Sequence, residues 1–228
     1  LTTEEQRVAY LEQAHYNPFL LPARQVIIDL LTDSGTSAMS AEQWSGIMRG
    51  DESYAGARSW ERMKAEIEDL TGYPYLLPTH QGSAAEHLLY NKLGGKGKVF
   101  LSNTHFDTTR ANVEFSGAKA IDIPIAEALN PTEYHPFKGN MDIDALKENI
   151  EKYGSENIGA VILTVTNNSG GGQPASMQNA KDVAAVCKEN GVRFILDACR
   201  IAENAYFIKH REPEYSGHTY RQIAQEMF

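Results

Sequence analysis

Four short segments of this 228-residue chain carry side chains whose types could do chemistry. They are Asp33-Ser34-Gly35-Thr36, His80-Gln81-Gly82-Ser83, Asn167 to Gln173, and Asp197-Ala198-Cys199-Arg200. Each is polar or glycine-rich, and each follows an apolar run. In Gln81-Gly82-Ser83-Ala84, a glycine lets the backbone approach a ligand, and the next residues open a helix. The free N–H groups of a helix start attract anions. The same residues also fit a plain capping box running from Ser83 to Glu86. Asp197 closes the apolar run Phe194-Ile195-Leu196. A carboxylate at that depth is desolvated and needs a partner. Arg200 could serve as a structural ion-pair partner, or a cationic nitrogen on a bound ring could hold Asp197 ionised. Gly170-Gly171-Gly172 demands tight backbone geometry. With Asn167, Asn168 and Gln173 around it, this is a turn or a ligand-contacting loop. Tyr54, on the small-residue loop Asp51 to Gly56, is a packing residue or an acid. The histidines show no HExxH pattern and no triad spacing, which argues against a metalloprotease or a triad hydrolase.

Regular elements must aim these segments. Leu1 to Asn17 reads as a polar-faced helix, interrupted by Pro18 and Pro22. Arg24 to Leu31 reads as a short strand ending at the Asp33–Thr36 turn. Ser40 caps a helix reaching Met48, and Trp60, Met63, Ile67 and Leu70 have helical spacing over Ser59 to Leu70. Tyr75 to Pro78 is a short apolar run read as a strand leading into His80. Helices then follow at Gln81–Lys92, Thr108–Ser116, Asp142–Lys152 and Met177–Asn190. Strands fall at Lys98–Leu101, Ala120–Ile125, Ile158–Val165 and Val192–Leu196, the last ending at Asp197. Asn130 to Gly139 is a polar loop. Strands alternating with helices imply an α/β fold with a mainly parallel sheet flanked by helices on both faces. Active residues then gather beyond the C-terminal ends of the strands.

Composition narrows the function classes. The chain is 42% hydrophobic and carries a net charge of -9. It can bury a real core, and its acidity argues against a nucleic-acid partner. No apolar run approaches the roughly 18 residues of a membrane span. Leu1 is not followed by a basic-then-apolar leader, so no secretory signal is expected. Cys187 and Cys199 sit in apolar stretches and read as buried thiols of a reducing, cytoplasmic compartment. Neither the GxGxxG fingerprint nor a P-loop is present, which disfavours a nucleotide-binding domain.

Seven motifs now stand in order along the chain: Asp33-Ser34-Gly35-Thr36, Gly50 to Gly56, Pro78-Thr79-His80-Gln81-Gly82, Phe106-Asp107-Thr108-Thr109, Phe137-Lys138-Gly139, Gly171-Gly172-Gln173-Pro174 and Glu203 to Lys209. Together they resemble the β-eliminating lyases, tyrosine phenol-lyase and tryptophanase. That resemblance implies the fold type I, pyridoxal phosphate-dependent transferase-like large domain. It implies a division into residues 1–35, an N-terminal arm and part of a small domain, and 36–228, a cofactor-binding large domain. Gln81, Gly82 and Ser83 match the turn that holds the cofactor phosphate, and Phe106 the residue that stacks on the pyridine. Asn168 matches the residue near the cofactor's phenolic oxygen and the substrate carboxylate. Asp197 matches the partner of the pyridine nitrogen and Arg200 the arginine near the phenolic oxygen. Thr36 matches a contact to the substrate carboxylate. Tyr54 matches a tyrosine that reaches a neighbouring subunit's phosphate and helps protonate the leaving group. Glu52 matches the carboxylate of a monovalent-cation site, usually potassium. Asp107 agrees with tryptophanase, whereas Met39-Ser40, Gln43-Trp44 and Leu88-Leu89 lean toward phenol-lyase.

The implied activity is β-elimination of an aromatic or S-substituted amino acid to pyruvate, ammonia and a leaving group, within a homo- or hetero-oligomer. Two departures qualify it. Ser83 stands where the family motif usually has arginine, which removes a charge-assisted phosphate bond worth ~1–3 kcal/mol. The family is also about twice this length, and no local context here matches its Ser-x-Lys-Lys segment. The resemblance therefore implies a complementary C-terminal chain carrying the Schiff-base lysine, a truncation, or a non-catalytic scaffold that kept the large-domain fold.

Overall fold

The computed structural model describes residues 2–26, 39–51 and 55–228. Contacts divide the chain into two compact units, Leu1–Ser59 and Trp60–Phe228. In the first, α1 (Glu4–Gln13) starts with a capping box between Thr3 and Gln6, and α2 (Ala41–Arg49) with one between Ser40 and Gln43. Arg24 and Gln25 do not open a strand. They lie in a 3-10 turn, Ala23–Gln25, that follows Pro22. The remainder of that expected strand, with Asp33 to Thr36, lies outside the described residues. Asp51 receives the backbone N–H groups of Arg58 and Ser59 and the Ser59 hydroxyl, at 2.9, 2.8 and 2.6 Å. These bonds, led by that hydroxyl, hold its carboxyl well below the usual range. They also cap the start of α3 (Arg58–Thr71), whose C-terminal part belongs to the second unit.

The second unit is built on four parallel strands, β1 (Val99–Ser102), β2 (Lys119–Asp122), β3 (Ile158–Thr164) and β4 (Phe194–Asp197), in the order β2-β1-β3-β4. Side chains alternate across a strand, and here both faces are apolar. Val99, Leu101, Val161 and Leu163 enter one core, with Leu146 and Ile150 of α6 (Ile143–Tyr153) and Met177 and Val183 of α7 (Met177–Glu189). Ala205 and Ile208 of α8 (Ile201–Arg211) and Ile223 of α9 (Tyr220–Met227) complete that face. Phe100, Ala160 and Ile162 enter the other core, with Tyr90 of α4 (Gly82–Leu93) and Val113 of α5 (Asp107–Phe115). Helices therefore cover both faces of the sheet, as its strand–helix alternation implies.

Three expectations need correction. Tyr75 to Pro78 forms no strand. Pro74 and Pro78 bracket the run and remove backbone donors, and Tyr75 and Leu77 are 91% and 80% exposed. β2 stops at Asp122 rather than Ile125, because Pro124 leaves the ladder and bridges Met141 in the antiparallel sense. Cys187 is buried as expected, but Cys199 is exposed as a residue. Its Sγ nevertheless turns inward to the Val165 carbonyl, 3.6 Å away. Burial, reinforced by Asp197, pushes that thiol up to about 12.

Candidate active site

Three strand ends and two helix starts meet at one edge of the sheet. Beyond β1, Asn103 is fully buried and behaves as an extra rung of the ladder. Its amide donates to the Gly139 carbonyl at 2.7 Å and the Thr164 carbonyl at 3.0 Å, and its Oδ1 accepts the Thr164 N–H at 3.0 Å. Thr164 ends β3, and its hydroxyl lies 3.4 Å from Asp197 Oδ2 at the end of β4. Burial raises the Asp197 carboxyl above the usual carboxylate range. The nearby Glu86 adds to this, while the Cys199 N–H and the Thr164 hydroxyl oppose it. Asp197 is thus a desolvated carboxylate whose ionised form calls for a cation. Arg200 follows as the N-cap residue of α8, its N–H bonded to the Val165 carbonyl at 2.9 Å.

Gln81 is the N-cap residue of α4, but its side chain makes no cap bond. The first intrahelical donors are Ala84 and Ala85, both to the Gln81 carbonyl. The N–H groups of Gly82 and Ser83 have no partner among the described residues, so this helix start is open to an anion. The capping box from Ser83 to Glu86 does not form. Glu86 instead accepts from the Thr109 hydroxyl and, at 3.5 Å, from Asn112. That bond sets the first turns of α4 and α5 side by side. Phe106 is the half-buried N-cap residue of α5, and Asp107, the next residue, is exposed and accepts the Thr108 N–H at 2.6 Å. A cleft of about 680 Å³ opens beside the α4 start, lined by Pro78, Gln81, Ser83, His87 and Asn112 among others.

Asn168, half-buried, stands in the loop after β3. That loop closes on itself through an antiparallel bridge between Asn167 and Gln173. Gly171 and Gly172 have φ of +85° and +72°, a region that side chains disfavour. Gly139 faces the Gln173 and Pro174 backbone so closely that a Cβ would lie 2.3 Å from the Gln173 carbonyl oxygen. Asn204 of α8 pairs with both backbone groups of Ala175, each at 2.9 Å. The motif segments around Gly139, Gln173 and Asn204 are thus stitched together by polar bonds in a buried layer.

Gln81, Gly82, Ser83, Phe106, Asp107, Asn168, Asp197 and Arg200 therefore all lie at helix starts or strand exits of this unit. Thr36, Glu52 and Tyr54 lie outside the described residues. Among the described residues, no group of three or more His, Cys, Asp or Glu side chains forms a metal cage. Asn103, Thr164, His105 and Asp122 were not singled out from the sequence. The polar run Ser102 to His105 directly after the apolar β1 was the available signal, of the same kind as the other four segments.

The family model for β-eliminating lyases matches residues 29–228. This chain belongs to the β-eliminating lyase family. The chain is 51% identical over all 228 residues to a tryptophanase of Hyphomonas neptunium and 47% identical over 227 residues to a tyrosine phenol-lyase of Pasteurella multocida. It covers 50% of the length of each, so it spans about half of the curated relatives it matches. A solved Exiguobacterium structure, described as a putative aromatic amino acid β-eliminating lyase/threonine aldolase, shares the fold. The TM-score is 0.54 and the identity 16%, over 85% of this chain and 51% of that one. No helix among the described residues is long and apolar enough to cross a membrane.

Proposed function

We propose that the lyase chain forms the cofactor-binding half of a pyridoxal phosphate-dependent β-eliminating enzyme acting on an aromatic or S-substituted amino acid. One observation carries this reading. An open helix start at Gly82–Ser83 and a desolvated carboxylate at Asp197 occupy the same edge of the sheet. The first suits a phosphate, the second a protonated ring nitrogen, and Phe106, at the start of α5, suits the flat ring. Pyridoxal phosphate held there would supply an electron sink for the substrate's α-carbon.

The chain's own residues divide the remaining work. Asp197 keeps the ring nitrogen charged, and its burial makes that attraction stronger than it would be in water. Gly82 and Ser83 hold the phosphate by backbone N–H and hydroxyl. Asn168 and Arg200 orient the ring's oxygen side, and Thr36 and Asn168 hold the substrate carboxylate. Tyr54 donates a proton to the departing group, and Glu52 contributes to a potassium site. Asp107, exposed beside Phe106, favours an indole or thiol leaving group over a phenolate, which it would repel. A complementary C-terminal polypeptide supplies the lysine that anchors the cofactor, in a cytoplasmic oligomer.

The test gives the complete assembly tryptophan, tyrosine and S-alkyl cysteine and measures pyruvate. Pyruvate from tryptophan or the cysteine derivative is expected. Transamination or aldol cleavage without pyruvate from any of the three would remove the lyase assignment.

A further inference from the structure

Resting on that reading of the site, we infer that His105 is a positioning residue, whose imidazole, held by Asp122, sets the tilt of Phe106 and the first turn of α5 against the bound ring. His105 precedes Phe106, and its side chain is fully buried. Its backbone N–H and its ring Nδ1 both bond Asp122 Oδ1, at 2.9 and 2.6 Å. The other Asp122 oxygen accepts from Arg110 of α5 at 2.5 Å, and Arg110 also reaches the Ala120 carbonyl at 3.3 Å. From the opposite side, the hydroxyl of Ser169, the residue after Asn168, donates to the His105 carbonyl at 3.0 Å.

Every backbone polar group of His105 is therefore taken by a different part of the site. Asp122 anchors it to the end of β2, and Ser169 anchors it to the loop after β3. These bonds fix the peptide plane through which the chain enters Phe106. The ring's Nε2 has no partner among the described residues, although it is buried. An unpaired buried nitrogen costs stability, and leucine would fill the same volume without that cost. The Nδ1 contact to Asp122 is what an apolar side chain could not supply. The histidine is thus placed for geometry at the price of packing comfort.

The test uses the complete lyase, as one chain or as this chain with its complementary polypeptide. Pyridoxal 5'-phosphate is the probe, read by circular dichroism in its absorption band and by equilibrium dialysis. The dichroic band reports ring tilt, which a purely stabilising contact leaves alone. His105→Leu keeps volume and loses the donor; it should weaken or invert the band and loosen binding about tenfold, the worth of one hydrogen bond. His105→Asn keeps a donor near the Nδ1 position and should restore the band. Asp122→Ala, at a half-exposed position, should reproduce the His105→Leu band and carries the test should that variant fail to fold. A wild-type band in His105→Leu or Asp122→Ala, or an asparagine variant no better than leucine, would overturn the assignment while leaving cofactor binding intact. A wild-type assembly that takes up no cofactor would instead sink the proposed function and this assignment with it.

Discussion

Asp197 sets two requirements against each other. Burial raises its carboxyl, so in the absence of a bound cation the folded state holds its proton more tightly than the unfolded chain does. The contribution to stability then falls as pH rises from the unfolded value of about 3.9 through the raised folded value. Asp197→Asn removes that penalty. The variant without cofactor should melt at the same temperature as wild type or higher at pH 7, an advantage that disappears below about pH 4, where both states are protonated. The same variant should lose α-proton exchange by orders of magnitude, because asparagine cannot keep the ring nitrogen charged. A large fall in melting temperature at pH 7, or near-normal exchange, would mean that Asp197 serves structure alone. Gly139 makes a plainer demand. A Cβ there meets backbone oxygen at 2.3 and 2.7 Å, so Gly139→Ala should cost about 2–4 kcal/mol in denaturant titration.

Elements are joined by side chains that imitate backbone. Asn103 extends the pairing of β1 with β3 past the last true rung, and Asn204 does the same between α8 and Ala175. Asn103→Ala removes the partner of four buried polar groups, the Ser102 hydroxyl, the Gly139 carbonyl and both backbone groups of Thr164, and an expected loss of about 3 kcal/mol is measurable by thermal or denaturant unfolding. Thr164 would then lose its anchor, and Asp197 its hydrogen-bonding neighbour, so cofactor affinity should fall as well. The α4 start responds to charge in the other direction. Ser83→Arg, adding a cation where two N–H groups stand open, should tighten phosphate-bearing cofactor about tenfold in equilibrium dialysis. No gain would argue that the phosphate sits elsewhere.

At the scale of the molecule, the second unit has a finished interior and an unfinished exterior. Both cores are closed, yet Tyr75 and Leu77 stand almost fully in solvent beside the helix start that the proposed cofactor needs. Tyr73 touches Phe228 edge-on at 6.4 Å, and its hydroxyl donates to the Phe228 carbonyl at 3.2 Å. The isolated chain should bind an apolar fluorescent dye, and addition of the complementary polypeptide proposed above should reduce that signal. Borohydride reduction of the assembled, cofactor-loaded enzyme should leave the label on the other polypeptide. Label on a lysine of this chain would remove the case for a divided site.

The period of the apolar residues was enough to place most of these elements. Ile158–Leu163 carries no polar side chain and reads as a doubly covered strand, and Asp142 marks the start of α6 by its own capping bond. Gly139, which has no room for a Cβ, and Gly171 and Gly172, whose positive φ disfavours one, also stood out as motif residues. Three things were decided only in three dimensions. Tyr75–Pro78 has the apolar character of a strand, but pairing requires a neighbour, and none of the described strands pairs with it. Ser83 and Glu86 have capping-box spacing, but Glu86 finds Thr109 on a helix that begins 25 residues after α4 does. His105 and Asp122 are 17 positions apart and lie on no common face of any one element. A contact between separate strand exits leaves no period in the sequence, because the register of the sheet, and not local spacing, brings the two residues together.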